Sequence, residues 1–270
     1  MNNQIQKANT YISNLIGEGF EVGIILGTGL SNFAEYVSDK IIIPYEQIPG
    51  FVKSTSPSHK GNLIAGSLKG KKVIVLQGRF HYYEGYSQEQ VVFPTRVLKS
   101  LGVHTLIVTN AAGSLREEFK PGSIILLKDH INFMGTNPLI GKNDDSLGER
   151  FVSMHDPYCE EYRTKLKLIS LDNKIKVSEG VYIGVTGPSF ETKSECQFFA
   201  NIGADVVGMS TVPEVIAAIH CGMKVLAFSI VTNYSNLIQK SKHSQEEIRM
   251  NADIAKSNLE KLVSEFVKDI

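Results

Sequence analysis

Residues Tyr182 to Glu214 read YIGVTGPSFETKSECQFFANIGADVVGMSTVPE, and the order of signals within them decides the fold class. Val181 to Val185 is a short apolar run that reads as a strand. It breaks at Gly187-Pro188, a pair that turns the backbone and cannot extend a sheet. Ser189, Phe190, Glu191 and Thr192 follow, then a helix-like run from Lys193 to Ile202 that stops on Gly203. A second strand, Asp205 to Met209, delivers Ser210 and Thr211 to another turn, and Val212-Pro213-Glu214 opens the next helix. Two strand ends thus present a carboxylate, an aromatic ring, a thioether and two hydroxyls. In open α/β sheets, ligands sit at such carboxyl ends.

Outward from this stretch the same grammar repeats. Ile5, Ala8, Tyr11, Ile12, Leu15 and Ile16 recur at helical spacing before Gly17. Val22 to Leu26 is a short strand running into Gly27-Thr28-Gly29-Leu30. That loop suits either a bound phosphate or a plain tight turn, and Asn32 stands where a dinucleotide fingerprint needs its third glycine. Ser54 to Gly61 is a loop carrying His59, an exposed loop histidine on composition alone. After the strand Val73 to Leu76 come Arg79, His81 and Tyr83, which share one face if the chain is extended there. A guanidinium, an imidazole and a phenol on one side make an oxyanion clamp, with Glu84 anchoring Arg79 or His81.

Ser87 to Leu101 reads as a helix with a Ser87/Gln90 capping box and a kink at Pro94, closed by Gly102. Thr105 to Thr109 is a buried strand ending in Asn110-Ala111-Ala112-Gly113-Ser114. Such small residues either leave room for a planar ligand or let two elements pack closely. Ser123 to Leu127 is a further strand, followed by Asp129-His130. No Ser or Cys sits in a nucleophile elbow, so His130 reads as structural. Gly135 to Asp156 is a long loop, a length usually functional or interfacial. Val212 to Cys221 is helical, Val225 to Val231 is a strand ending at Thr232-Asn233, and Ser244/Glu247 cap a long C-terminal helix. Ile248, Ala252, Ala255, Leu259, Leu262, Phe266 and Ile270 turn one face of that helix to the core.

The expected architecture is α/β: a single-domain three-layer sandwich with a central mixed, largely parallel β-sheet flanked by helices, spanning residues 1–270. Lys+Arg and Asp+Glu balance at 28 each, so no net field recruits nucleic acid or an anionic membrane. Cys159, Cys196 and Cys221 are odd in number and widely spaced, which favours a reducing, cytoplasmic setting over a disulfide framework. The first ten residues lack the pattern of a signal peptide, and no apolar run approaches the ~20 residues of a membrane helix. A metal-ligand cluster, an activated Ser or Cys and a Schiff-base lysine are all missing from the polar residues at the strand ends, so the nucleophile is expected from outside.

GPSFET at 187–192 and GADVVGMSTVPEV at 203–215 resemble the trimeric class of purine nucleoside phosphorylases, relatives of the methylthioadenosine phosphorylases. RFHYYEGY at 79–86, TNAAGSL at 109–115 and DHINF at 129–133 extend the match, which runs from about Val22 to Thr232. The resemblance implies phosphorolysis of purine nucleosides in a homotrimer, with inorganic phosphate as co-substrate and neither cofactor nor metal. By the same resemblance Thr28, His59, Arg79, His81, the Ala111 amide and Ser210 face phosphate, while Tyr83 and Met209 line the ribose. Phe151 is expected to cross to a neighbouring subunit and cover the sugar there, and His243 to meet the 5′-hydroxyl. Asn110, Ala112, Gly113 and Phe190 are expected around the base. Glu191 would accept from the base N1–H and Asn233 would contact O6 and N7, making His81, Glu191 and Asn233 the catalytic set.

Asn233 separates the expected substrates, because methylthioadenosine phosphorylases carry Asp there and usually Thr in place of Ser210. An amide can donate to a 6-oxo group, so inosine and guanosine are expected over adenosine. Residues 234–243 (YSNLIQKSKH) depart from the family pattern. Two other classes are weighed: a silent purine-binding protein, disfavoured by Arg79, His81, Glu191 and Asn233 together, and a nicotinamide dehydrogenase, disfavoured by the broken glycine fingerprint.

Overall fold

The computed structural model describes residues 2–28, 30–56 and 59–270. Gly29 of the Gly27–Leu30 loop, and Pro57 and Ser58 of the Ser54–Gly61 loop, lie outside the described residues. The elements, in chain order, are α1 (Asn2–Ile16), β1 (Val22–Ile25), β2 (Ser38–Pro44), β3 (Asn62–Leu68), β4 (Lys71–Gln77), α2 (Gln88–Ser100) and β5 (Thr105–Ser114). They continue with β6 (Ile124–Asn132), α3 (Glu160–Asp172), β7 (Val177–Gly184), α4 (Lys193–Asn201), β8 (Val206–Gly208), α5 (Val212–His220), β9 (Lys224–Tyr234) and α6 (Gln245–Asp269).

All nine strands join one mixed sheet in the order β2-β3-β4-β1-β5-β8-β7-β6-β9. Parallel ladders join β4 to β1, β1 to β5 and β5 to β9, while β2, β3 and β4 form an antiparallel meander at one edge. Because β5 also pairs with β9, strands β5, β8, β7, β6 and β9 close into a ring. Closure removes the sheet edge at the end where the chain gathers its polar residues.

Helices cover both faces. Ile5, Ala8 and Ile12 of α1, Val97 and Leu98 of α2 and Val215 and Ile216 of α5 belong to one core cluster. Leu166 of α3 and Leu259, Leu262 and Phe266 of α6 belong to the opposite one. Leu15, expected on the buried stripe of α1, is exposed. The apolar stripe of α6 is buried from Ile248 to Phe266, with Ile270 only partly buried beyond the helix, and of the capping box only the bond from Glu247 N–H to the Ser244 hydroxyl forms. The Ser87/Gln90 box of α2 is complete, with Pro94 inside the helix.

Three expected boundaries differ in ways that bear on the site. β5 does not end at Thr109 but runs to Ser114, because Asn110 to Ser114 continue the ladder with β9. The small residues are therefore strand, not a loop beyond it. β6 likewise runs through Asp129 and His130, and His130 Nδ1 lies 3.0 Å from the Tyr158 hydroxyl, a structural contact. β9 carries Thr232 and Asn233 within its own ladder, with Asn233 beside Gly113.

Candidate active site

The two turns of the opening stretch shape one wall of a cavity of about 500 Å³ at the ring end of the sheet. Thr192 caps α4: its hydroxyl accepts from Glu195 N–H at 3.2 Å, and the Glu195 carboxylate accepts from Thr192 N–H at 2.6 Å. Such a reciprocal cap stabilises a helix start by about 1 kcal/mol and fixes where the chain enters it. Phe190 and Glu191, immediately before the cap, face the cavity. Gly187 takes φ 62° and packs on the Met209 side chain so closely that a Cβ would collide with the sulfur.

The second turn is tighter. Val212 N–H donates to the Ser210 carbonyl at 2.7 Å, which forces Thr211 to φ 68°, ψ −53°. A β-branched residue in that region is strained by about 1–3 kcal/mol. Thr211 is fully buried, and its hydroxyl accepts from Asn110 Nδ2 at 2.9 Å. The strained turn thus holds Ser210 towards the cavity while starting α5, which carries Glu214.

Glu214 explains Arg79. The guanidinium is 4% exposed and the carboxylate residue 3%. Arg79 Nε donates to Glu214 Oε1 at 2.8 Å, and Nη1 to the Thr109 carbonyl at 2.8 Å and, weakly, to Ser210 Oγ at 3.5 Å. Nη2 has no hydrogen-bond partner among the described residues. A buried guanidinium with donors to spare, at the wall of a cavity, is built to receive an anion. Of the two partners expected for Glu84, Arg79 or His81, the structure selects His81.

Glu84 Oε1 accepts from the His81 backbone N–H at 2.9 Å and lies 2.8 Å from His81 Nδ1. Its other oxygen accepts from Thr55 N–H at 2.7 Å and from the Thr55 hydroxyl. Burial pushes the Glu84 carboxyl up, but the bonds from His81 and Thr55 outweigh it and hold the pKa at about 2. An ionised carboxylate only accepts, so His81 Nδ1 is the donor and Nε2 is left for the cavity. Arg79, His81 and Tyr83 all line the cavity, yet not through an extended chain, since Tyr82 to Glu84 form a 3₁₀ turn. The rings of His59, His81 and Tyr83 instead form a stack, with centroids 5.0 Å and 4.6 Å apart.

His59 is therefore not the exposed loop histidine its composition implied. His59 Nδ1 lies 3.0 Å from both the backbone N–H and the carbonyl oxygen of Arg79, which fixes the ring against that strand end. Burial, and then the nearby His81 and Arg79, push the His59 pKa down to about 3. Between that value and the ordinary one near 6.5, only the unfolded chain binds the proton. Stability is then complete above pH 6.5 and falls with pH towards 3, by about 2 kcal/mol at pH 5. Urea unfolding at pH 7 and pH 5 should show a smaller drop for His59→Asn than for the parent. An equal drop would mean that His59 is solvated in the folded chain.

The remaining wall comes from the β5–β9 ladder. Ala111, Ala112 and Gly113 line the cavity, as do Thr232 and Asn233. Asn233 Oδ1 accepts from the Thr232 hydroxyl at 2.9 Å, and Nδ2 donates to the Tyr234 carbonyl at 3.0 Å. A Cβ at position 113 would stand 3.2 Å from that Nδ2, so glycine gives the amide its room. Burial raises the Glu191 carboxyl above its ordinary range. Thr28, Met209 and Ser210 complete the expected set within the cavity.

Three expected residues are not on the wall. The Asn110 side chain points behind it, to Thr211, because strand alternation sends Asn110 and Ala111 to opposite sides. Phe151 is 88% exposed on the segment between β6 and α3, outside the cavity. His243 lies at the rim, its ring 4.7 Å from that of Phe190. Sequence reasoning missed Glu214, whose acidic position after Ser-Thr-Val-Pro was visible but whose partner was not. It also missed Ile248 and Arg249 of α6, which line the cavity from above.

A model of the phosphorylase superfamily matches residues 21–268. Purine nucleoside phosphorylase 1 of Bacillus subtilis is 45% identical over 267 residues, 99% of this chain and 98% of its own length. The purine nucleoside phosphorylase of Bos taurus is 43% identical over 257 residues, covering 93% and 89%. Schistosoma mansoni purine nucleoside phosphorylase solved with adenosine has a TM-score of 0.94 at 41% identity, covering 99% of this chain and 97% of that one. Its structure with inosine gives the same TM-score at 40% identity, covering 99% and 96%. A near-complete family match and close relatives along the whole chain agree with the cavity built above: the chain belongs to the phosphorylase superfamily and, within it, to the purine nucleoside phosphorylases, a family of enzymes.

Proposed function

We propose that the chain catalyses the reversible phosphorolysis of 6-oxopurine ribo- or deoxyribonucleosides, inosine and guanosine, to the free base and pentose 1-phosphate, in purine salvage. The observation that carries this is the buried Arg79, whose Nη2 has no partner among the described residues and which lines the same cavity as Ser210, His81, Glu191 and Asn233. Phosphate is held by Arg79, His81, His59, Thr28, Ser210 and the Ala111 amide. Tyr83 and Met209 line the ribose, and Phe190, Ala112 and Gly113 flank the purine.

As the C1′–N9 bond breaks, its electron pair leaves with the base and the sugar becomes oxocarbenium-like. A phosphate oxygen then forms the new bond to C1′. The Asn233 amide offers a donor to O6 as charge builds there, and Glu191 accepts from N1–H. Holding phosphate and nucleoside together contributes roughly 7–11 kcal/mol by effective molarity, more than the roughly 3–6 kcal/mol of a single general acid. Positioning dominates, and phosphate is the nucleophile. Inorganic phosphate serves as co-substrate, and no cofactor is required.

The 6-oxo preference rests on Asn233 and Glu191: adenine has no N1 proton for Glu191 and offers a donor where Asn233 would donate. The Schistosoma relative has been solved with adenosine as well as inosine, so binding alone does not report preference. Turnover does. With phosphate, release of hypoxanthine and guanine should exceed release of adenine by about 10² or more, and should stop without phosphate. Efficient adenosine turnover refutes the 6-oxo assignment.

We also infer a homotrimer in which Phe151 covers a neighbour's sugar, supported by its exposure outside its own cavity. Light scattering on the active enzyme checks it; an active monomer would contradict the shared site.

A further inference from the structure

Between Asn233 and α6 the chain folds back over the Glu191 turn, and one side chain joins the two. Ser235 N–H donates to the Ser114 carbonyl at 2.8 Å, which pins the start of this return segment to the end of β5. Leu237 packs against the small core cluster that holds Cys196 and Phe199 of α4. From that platform Asn236 Nδ2 donates to the Glu191 backbone carbonyl at 2.7 Å. At the far end of the segment, the His243 ring rests on Phe190.

Glu191 itself has little else to hold it. Among the described residues, no other side chain hydrogen-bonds to it. Its backbone lies outside helix and strand, so its direction depends on what fixes the turn. We propose that Asn236 is a positioning residue: by clamping the Glu191 carbonyl, it fixes where the carboxylate meets the purine and makes the return segment part of base recognition. The proposal rests on the role assigned above to Glu191. Phosphate is gripped from the other side, by groups anchored on Glu214 and Glu84, so the clamp acts on the nucleoside alone.

The experiment measures steady-state kinetics of Asn236→Ala, Asn236→Asp, Glu191→Gln and the double variant Glu191→Gln/Asn236→Ala in the full chain. Asn236→Asp keeps the volume and removes the donor. Both Asn236 variants should raise the inosine KM and lower its kcat/KM about tenfold, with the phosphate KM within about twofold. The double variant should be no worse than Glu191→Gln, because the two residues act as one unit. Additive losses, parallel shifts in both KM values, or a normal Asn236→Asp overturn the proposal while leaving the role of Glu191 intact. A normal Glu191→Gln overturns the role of Glu191, and the positioning proposal with it.

Discussion

Glu214→Ala should lower the free energy of unfolding by about 3–5 kcal/mol and at the same time weaken phosphate binding. The two effects share one cause. Arg79 Nε is bonded to Glu214 Oε1 at 2.8 Å in a site from which water is excluded, and among the described residues no other carboxylate pairs with the guanidinium. Removing Glu214 leaves a buried cation whose remaining bonds are to the Thr109 carbonyl and, weakly, to Ser210. The guanidinium then swings towards any acceptor, and Nη2 loses its fixed direction. Glu214→Gln keeps the shape and one acceptor, so it should retain more stability than the alanine variant. Urea unfolding and the phosphate KM of both variants check this. A loss below about 1 kcal/mol for Glu214→Ala would mean that the pair is hydrated and worth no more than a surface bridge. A large loss of stability with an unchanged phosphate KM would separate Arg79 from the anion.

Asn233→Asp should turn the substrate preference. In the parent, the Thr232 hydroxyl and the Tyr234 carbonyl fix the amide with Nδ2 on the Gly113 side. A carboxylate in that frame has no donor for O6 and sets an acceptor against the Tyr234 carbonyl, which costs about 1–3 kcal/mol if it stays buried. It offers instead an acceptor for a 6-amino group. The kcat/KM for inosine should fall by about 10² or more, and the ratio of adenosine to inosine turnover should rise at least about tenfold. Both are measured at saturating phosphate. An unchanged ratio removes Asn233 from base selection.

Much of this cavity is legible in the sequence. The GPSFET turn and the GMSTVPE turn stand after strands and before helices, and the structure puts both on one wall. The edge strands β2 and β3 are less legible, since Lys40-Ile41-Ile42-Ile43 has no alternation of apolar and polar residues to betray a strand. Helix α3 does carry a signal, since its Tyr162, Leu166 and Ile169 repeat at helical spacing and are buried. Asn110 shows a subtler limit. Placing the end of β5 at Thr109 left Asn110 free to face a ligand, whereas continued pairing with β9 turns it away.

The sequence alone determined the alternation of strand, turn and helix, the stops at Gly102, Gly203 and Gly222, and the polar residues at the strand ends, because these depend on neighbours a few positions apart. Tertiary structure decided which polar groups point inward and what holds them. Glu214 meets Arg79 across 135 residues, the ring β5-β8-β7-β6-β9 closes through pairings far apart in the chain, and Asn236 reaches back 45 residues to Glu191. Local periodicity carries no record of such partners. They exist only once burial has made an unpaired charge or carbonyl too costly to leave alone.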